Sequence, residues 1–152
     1  IRDNLMFGCP DATEEQIEEA LVISQAKEFV DTKEGRLDAV VEQGGKNLSG
    51  GQRQRLTLAR ALVPQSDILI MDDSASALDY ATDAKLRKAI QNMKRKPTVF
   101  IVSQRTSSIQ DADSILVLDD GKIAGKGTHE ELIASCDIYR EIYETQFKKE
   151  EA

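Results

Sequence analysis

Apolar residues recur at helical spacing over Ile17, Ala20, Leu21, Ile23 and Ala26, and Phe29 and Val30 extend the same face. That spacing predicts an amphipathic helix. It starts behind Asp11-Ala12-Thr13-Glu14-Glu15-Gln16, where Asp11 or Thr13 can cap and acidic residues suit the positive end of the helix dipole. Lys33-Glu34-Gly35 breaks the pattern, and the Gly-rich stretch Val40 to Asn47 reads as a loop. Ser49 can cap a second helix from about Gly50 to Leu62, ended near Pro64.

The pattern changes after residue 64. Ile68-Leu69-Ile70-Met71 is a continuous apolar run with β-branched residues, which predicts a strand buried on both faces, as in a parallel sheet. Helical spacing returns from Tyr80 to Met93. Val99-Phe100-Ile101-Val102 and Ile115-Leu116-Val117-Leu118 predict two further buried strands. Asp119-Asp120-Gly121-Lys122 reads as a hairpin turn into Ile123. Thr128-His129-Glu130-Glu131 has the form of a capping box, a last helix runs through Tyr139 to Phe147, and Lys148 to Ala152 reads as a charged, frayed tail. Residues 1–64 thus read as one helical domain and residues 65–152 as an alternating α/β domain, without internal repeats.

At 152 residues, 40% of them hydrophobic and 31% charged, the chain can bury a real core. The net charge of −7 argues against a nucleic-acid partner, which a basic field would attract. Cys9 and Cys136 show no CxxC or His/Cys clustering and read as two reduced cytosolic thiols. No apolar run approaches the roughly 20 residues of a membrane helix, so membrane association is expected through a partner or through further sequence. The opening at Ile1, with neither Met nor a signal-peptide pattern, reads as an engineered or proteolytic boundary.

Three segments carry candidate chemistry. Leu48-Ser49-Gly50-Gly51-Gln52 places two glycines at a helix start, where backbone can approach a ligand closely and free N–H groups favour an anion. Alone, such a stretch is more often a flexible turn. Asp72 and Asp73 close a predicted strand, at the mouth of an α/β sheet where ligands bind; the blander reading is a pair of solvated carboxylates. Asp79, ending Ser76-Ala77-Leu78-Asp79, can simply cap the next helix.

Taken with Arg53-Gln54-Arg55-Leu56-Thr57-Leu58-Ala59-Arg60-Ala61-Leu62, the first segment resembles the signature motif and following helix of ABC ATPases. Ile68 to Asp73 resembles Walker B, and Ser76 to Asp79 the D-loop, of the same family. The resemblance implies a helical subdomain followed by the C-terminal part of a RecA-like P-loop NTPase core. It implies ATP and Mg²⁺ as ligands, with Asp72 holding the metal, usually through water. It implies that Ser49, Gly50, Gly51 and Gln52 act in trans on the ATP of a second ABC ATPase domain, which Ser76, Ala77, Leu78 and Asp79 contact. Gly127 to Leu132 resembles the family's C-terminal tail motif, which implies a structural role for His129. Ile1 to Leu5 resembles the stretch after the glutamine loop of exporters. This favours an exporter on the cytoplasmic face of the cell membrane, whose transmembrane coupling helices touch the loop around Gln43.

Departures from the pattern matter as much. The residue after Asp72 is normally a glutamate that polarises the attacking water; here Asp73 is one methylene shorter. The histidine that meets the γ-phosphate is replaced by Gln104 in Val102-Ser103-Gln104-Arg105, which donates a hydrogen bond but carries no charge. Both changes weaken one catalytic step, which resembles the degenerate site of heterodimeric multidrug exporters; the blander reading is independent drift at the two positions. Many exporters also place a glutamate at Gln43. No GxxxxGK[ST] loop occurs: Gly45-Lys46, Gly121-Lys122 and Gly125-Lys126 all lack the following Ser or Thr. The chain by itself is therefore expected to be inactive and to bind ATP weakly. The rival readings are a soluble ABC-type ATPase of translation or DNA repair, and a non-catalytic dimerisation fragment.

Overall fold

In the computed structural model, residues 1–148 are described. They form two compact units, one spanning Ile1–Val102 and the other starting at Ser103. The tail read over Lys148 to Ala152 lies outside the described residues beyond Lys148.

The first unit opens with α1 (Arg2–Met6), α2 (Glu14–Ile23) and α3 (Lys27–Thr32), followed by 3₁₀ turns at Arg36–Asp38 and Gln43–Gly45. Then come α4 (Gly50–Leu62), β1 (Ile68–Asp72), α5 (Tyr80–Gln91) and β2 (Thr98–Val102). Of the two candidate caps for the first long helix, Thr13 is the one used. Its hydroxyl accepts from the Gln16 N–H, and the Gln16 side chain accepts from the Thr13 N–H. The face predicted to run on to Val30 belongs to two helices. Gln25 adopts a left-handed φ of 60° between them, Ser24 Oγ donates to the Leu21 carbonyl, and the Arg55 guanidinium donates to the Gln25 carbonyl at 2.8 Å. Arg55 also lies 5.0 Å over the Phe29 ring. No glycine or proline marks this break; the Ala26 N–H returns to the Leu21 carbonyl, the Gln25 side-chain amide donates to the Val22 and Ile23 carbonyls, and Arg55 adds its contacts from α4.

Ile17 and Leu21 on α2, Leu56, Ala59 and Leu62 on α4, and Leu86 on α5 form one buried core with Leu69 and Met71 of β1. β1 and β2 pair in parallel, Ile68 opposite Thr98 through Asp72 opposite Val102. The parallel pairing agrees with the apolar runs, but burial on both faces does not hold for these strands. Leu69 and Met71 are buried, whereas Ile68, Ile70, Phe100 and Val102 are 57%, 69%, 56% and 57% exposed. A strand's side chains alternate between faces, and helices of this unit cover one face of the pair only.

The second unit holds a 3₁₀ turn at Thr106–Ser108, strands β3 (Ile115–Asp119) and β4 (Lys122–Gly127), and helices α6 (His129–Ser135) and α7 (Asp137–Lys148). β3 and β4 form the predicted hairpin, with Asp119 opposite Lys122. Asp120 and Gly121 take φ of 45° and 74°, the double positive φ of a type I′ turn. Here too one face is open: Ile115 and Val117 pack on Leu132, Cys136 and Tyr139, while Leu116 and Leu118 are exposed. Thr128 forms the predicted capping box with Glu131. His129 Nδ1 lies 2.9 Å from the Tyr139 hydroxyl, and its ring meets Tyr143 as well.

Candidate functional site

Ser49 stands at the N-cap of α4 in extended conformation. Its hydroxyl oxygen accepts from the Gln52 N–H at 3.2 Å, and Gln52 Oε1 accepts from the Ser49 N–H at 3.1 Å. This reciprocal cap fixes where the helix begins. It leaves the N–H groups of Gly50 and Gly51, in the first turn, without acceptors inside the helix. Accepting a bond uses only a lone pair of the Ser49 hydroxyl, so its proton can still be donated. Ser49 and Gly50 are exposed. The turn therefore presents two backbone donors, one hydroxyl and the positive end of a 13-residue helix on one surface.

β1 delivers Asp72 and Asp73 to its C-terminal end, both exposed. The Asp73 N–H donates to the Val102 carbonyl at 3.0 Å, extending the strand pairing by one bond. Asp73 itself takes a φ of 47°, a left-handed geometry that aspartate tolerates better than most residues. The chain thus turns sharply away from the sheet into Ser76-Ala77-Leu78-Asp79. Asp79 caps α5: Oδ1 accepts from the Thr82 N–H at 2.9 Å and Oδ2 from the Thr82 hydroxyl at 2.8 Å. The Thr82 N–H and then its hydroxyl, by bonding the ionised form, hold the Asp79 carboxyl below its ordinary value.

The glycine turn and the loop after β1 are packed against each other. A Cβ on Gly51 would lie 3.3 Å from the Ala77 carbonyl oxygen, whereas one on Gly50 would meet the Ala77 Cβ at an ordinary 3.8 Å. Gly51 therefore has a packing reason within the chain. Gly51→Ala is expected to lose about 1 kcal/mol more stability than Gly50→Ala, because an extra methyl in a packed site forces shifts. Paired denaturant titrations measure the difference.

Gln54, one turn into α4, joins the same two elements. Its Oε1 accepts from the Ala77 N–H at 2.8 Å, while Nε2 donates to the Asp73 carbonyl at 3.1 Å and reaches Ser76 Oγ at 3.4 Å. Nothing in the spacing of the sequence singled out Gln54. Within the first unit the structure thus brings Ser49, Gly50, Gly51 and Gln52 together with the loop carrying Asp73, Ser76, Ala77 and Leu78, Asp72 preceding it on the strand and Asp79 following it into α5. The Gln52 side chain is turned back into the cap.

Gln104 lies in the second unit, its side chain exposed. Another amide, also missed in the sequence, holds its loop. Gln146 Nε2 on α7 donates to the Gln104 carbonyl at 2.6 Å, and Gln146 Oε1 accepts from the Thr106 N–H and hydroxyl, both at 2.9 Å.

Comparison with known proteins follows the same residues. The profile of the ABC transporter family matches residues 2–76, which include the capped glycine turn, both strand-end aspartates and the start of the loop after them. The chain belongs to the ABC transporter family. It is 41% identical over 150 residues to an ATP-dependent lipid A-core flippase of Shewanella frigidimarina, covering 98% of this chain and 25% of the flippase. It is also 41% identical over 152 residues to the beta-(1-->2)glucan export ATP-binding/permease protein NdvA of Rhodopseudomonas palustris, covering 100% of this chain and 25% of that protein. The structure of a bacterial Atm1-family ABC exporter with ATP bound superposes with a TM-score of 0.90 at 31% identity, over 95% of this chain and 26% of the exporter. The chain thus spans about a quarter of the length of these ABC proteins, and its α/β fold is that of part of an exporter's ATP-binding domain. Among the described residues no helix is long and apolar enough to cross a membrane.

Proposed function

We propose that this chain is part of the ATP-binding domain of an ABC exporter and couples ATP binding and hydrolysis to transport through a transmembrane domain. The observation that carries the reading is the exposed, capped Ser49-Gly50-Gly51 turn, whose free amides and helix dipole suit a phosphate. In this reading Ser49, Gly50, Gly51 and Gln52 close on the ATP held by a second ABC ATPase domain. Ser49 donates its hydroxyl and the glycines their N–H groups, while Gln52 acts by fixing the cap. Ser76 to Asp79 meet the same partner. In the same reading the loop over residues 40–47, with Gln43, meets the coupling helices; Val41, Gly44 and Gly45 of that loop line a pocket of about 280 Å³.

At the chain's own nucleotide, Asp72 is suited to Mg²⁺. Its carboxylate is exposed at the strand end, and no cluster of three or more His, Cys, Asp or Glu among the described residues offers a complete protein cage. Mg²⁺ typically needs only one or two carboxylates beside water and substrate phosphates, so the donor set fits. When bound, the metal supplies charge neutralisation at the phosphates. Asp73 and Gln104 replace the residues that would orient and polarise the attacking water. We therefore assign this chain to the weak half of a heterodimer: its own site turns ATP over slowly, and its intact signature completes a competent site across the interface.

The deciding experiment is ATPase activity of the full-length parent assembled with its partner half-transporter, with and without Ser49→Ala. A loss of roughly tenfold is expected for a hydrogen bond to a charged phosphate. Retained activity means that this signature does not serve the working site, and the assignment of the degenerate site reverses. Full-rate ATPase from a homodimer of the parent would also overturn the degenerate reading.

A further inference from the structure

We infer that Gln54 is a positioning residue that makes the signature turn and the loop after β1 move as one body, so that engagement of the partner's ATP is transmitted to Asp73 and the D-loop. This rests on the function proposed above.

The three polar contacts of this side chain all converge on one loop. Its carbonyl oxygen holds the Ala77 N–H, and its amide nitrogen holds the Asp73 carbonyl and Ser76 Oγ. The Asp73 carbonyl also accepts from Ser76 Oγ at 3.0 Å and from the Ser76 N–H at 3.3 Å. The loop is therefore stapled at both ends of Asp73-Ser74-Ala75-Ser76-Ala77 by one planar amide. That amide belongs to α4, whose first turn presents Ser49 and Gly50 to the exterior. The staple acts where the backbone is least relaxed, at the left-handed Asp73, whose conformation persists only if its surroundings hold it. Gly51 lets the two backbones approach closely enough for the amide to span them. Neither polar end of Gln54 is left for nucleotide, so its effect on hydrolysis passes through Asp73 at this chain's own slow site and, for the bulk of turnover, through Ala77 on the loop that meets the partner and its competent site.

Only an amide meets this pattern, since one end must accept and the other donate twice. Gln54→Glu keeps the acceptor for Ala77, loses both donors and sets a carboxylate against the Asp73 carbonyl. Gln54→Ala loses everything.

The test uses the full-length transporter with its partner, carrying either variant, and measures kcat, KM for ATP and equilibrium ATP binding. Hydrogen exchange over residues 73–78 is followed in parallel. Both variants are expected to lower kcat roughly tenfold, below the ~10²-fold of a full 1 Å misplacement. ATP binding should stay within about twofold, and exchange at the Ala77 amide should accelerate. If Gln54→Ala fails to fold, the near-isosteric Gln54→Glu carries the test. A folded variant whose kcat stays within about twofold of wild type overturns the inference, and so does a loss confined to KM. A wild-type transporter without ATP hydrolysis overturns the functional reading instead, and this role falls with it.

Discussion

If Asp73 holds the place proposed for it, Asp73→Glu is expected to raise ATP turnover at this chain's own nucleotide site by on the order of 10²-fold, because the added methylene would restore the reach of the carboxylate to the attacking water. The backbone beneath this side chain is not free to compensate. Its N–H is tied to the Val102 carbonyl and its carbonyl to the Gln54 amide. With both peptide groups held, a shorter side chain stays short. Glutamate is less at ease than aspartate at a φ of 47°, so the variant is expected to lose about 1 kcal/mol of stability while gaining rate. The measurement is single-turnover hydrolysis in the proposed heterodimer, with the other site silenced in the partner domain. A rate unchanged within about threefold would mean that Asp73 is not what limits this site. Adding Gln104→His then separates the two departures, since imidazole brings a charge and a proton that the amide lacks.

Much of this was legible because the informative residues follow local rules. Thr13, Ser49, Asp79 and Thr128 all cap helices, since a side-chain oxygen two or three residues before free N–H groups has few better partners. Asp120-Gly121 predicted its turn from φ requirements alone. The ABC resemblance was carried by strings whose order and spacing survive without tertiary knowledge. What the sequence hid is what depends on distant partners. The break at Gln25 has no glycine or proline, and Arg55, thirty positions later, donates to its carbonyl. An apolar run such as Ile68 to Met71 reports that both faces are apolar, but not which elements cover each face. Gln54 and Gln146 are ordinary helical glutamines by pattern. Their roles come from carbonyl and N–H groups brought to them from 19 to 42 residues away.

The first unit should lose about 3 kcal/mol of stability on Asp83→Ala, through an ion pair under the D-loop helix. Asp83 is 2% exposed, in the first turn of α5, four residues beyond the Asp79 cap. Its Oδ2 lies 3.3 Å from Arg87 Nε on the next turn, and the Arg87 side chain is only 17% exposed. Asp83 is among the most buried side chains of the unit. Removing one member of a buried pair leaves the other's charge in a poor environment and costs about 3–5 kcal/mol. The lower end applies because Arg87 keeps some contact with water. For a chain of this size a loss of 3 kcal/mol corresponds to a fall in Tm of roughly 6–12 °C. Replacing both residues together, Asp83→Leu with Arg87→Leu, should recover most of that loss, since apolar packing often matches a buried pair. Thermal unfolding of the single and double variants decides between two roles. If the double variant is as unstable as Asp83→Ala, the carboxylate acts through the helix start rather than through Arg87. If it recovers stability but slows hydrolysis in the transporter, the pair holds α5, and hence Asp79 and the D-loop, in the position that catalysis needs.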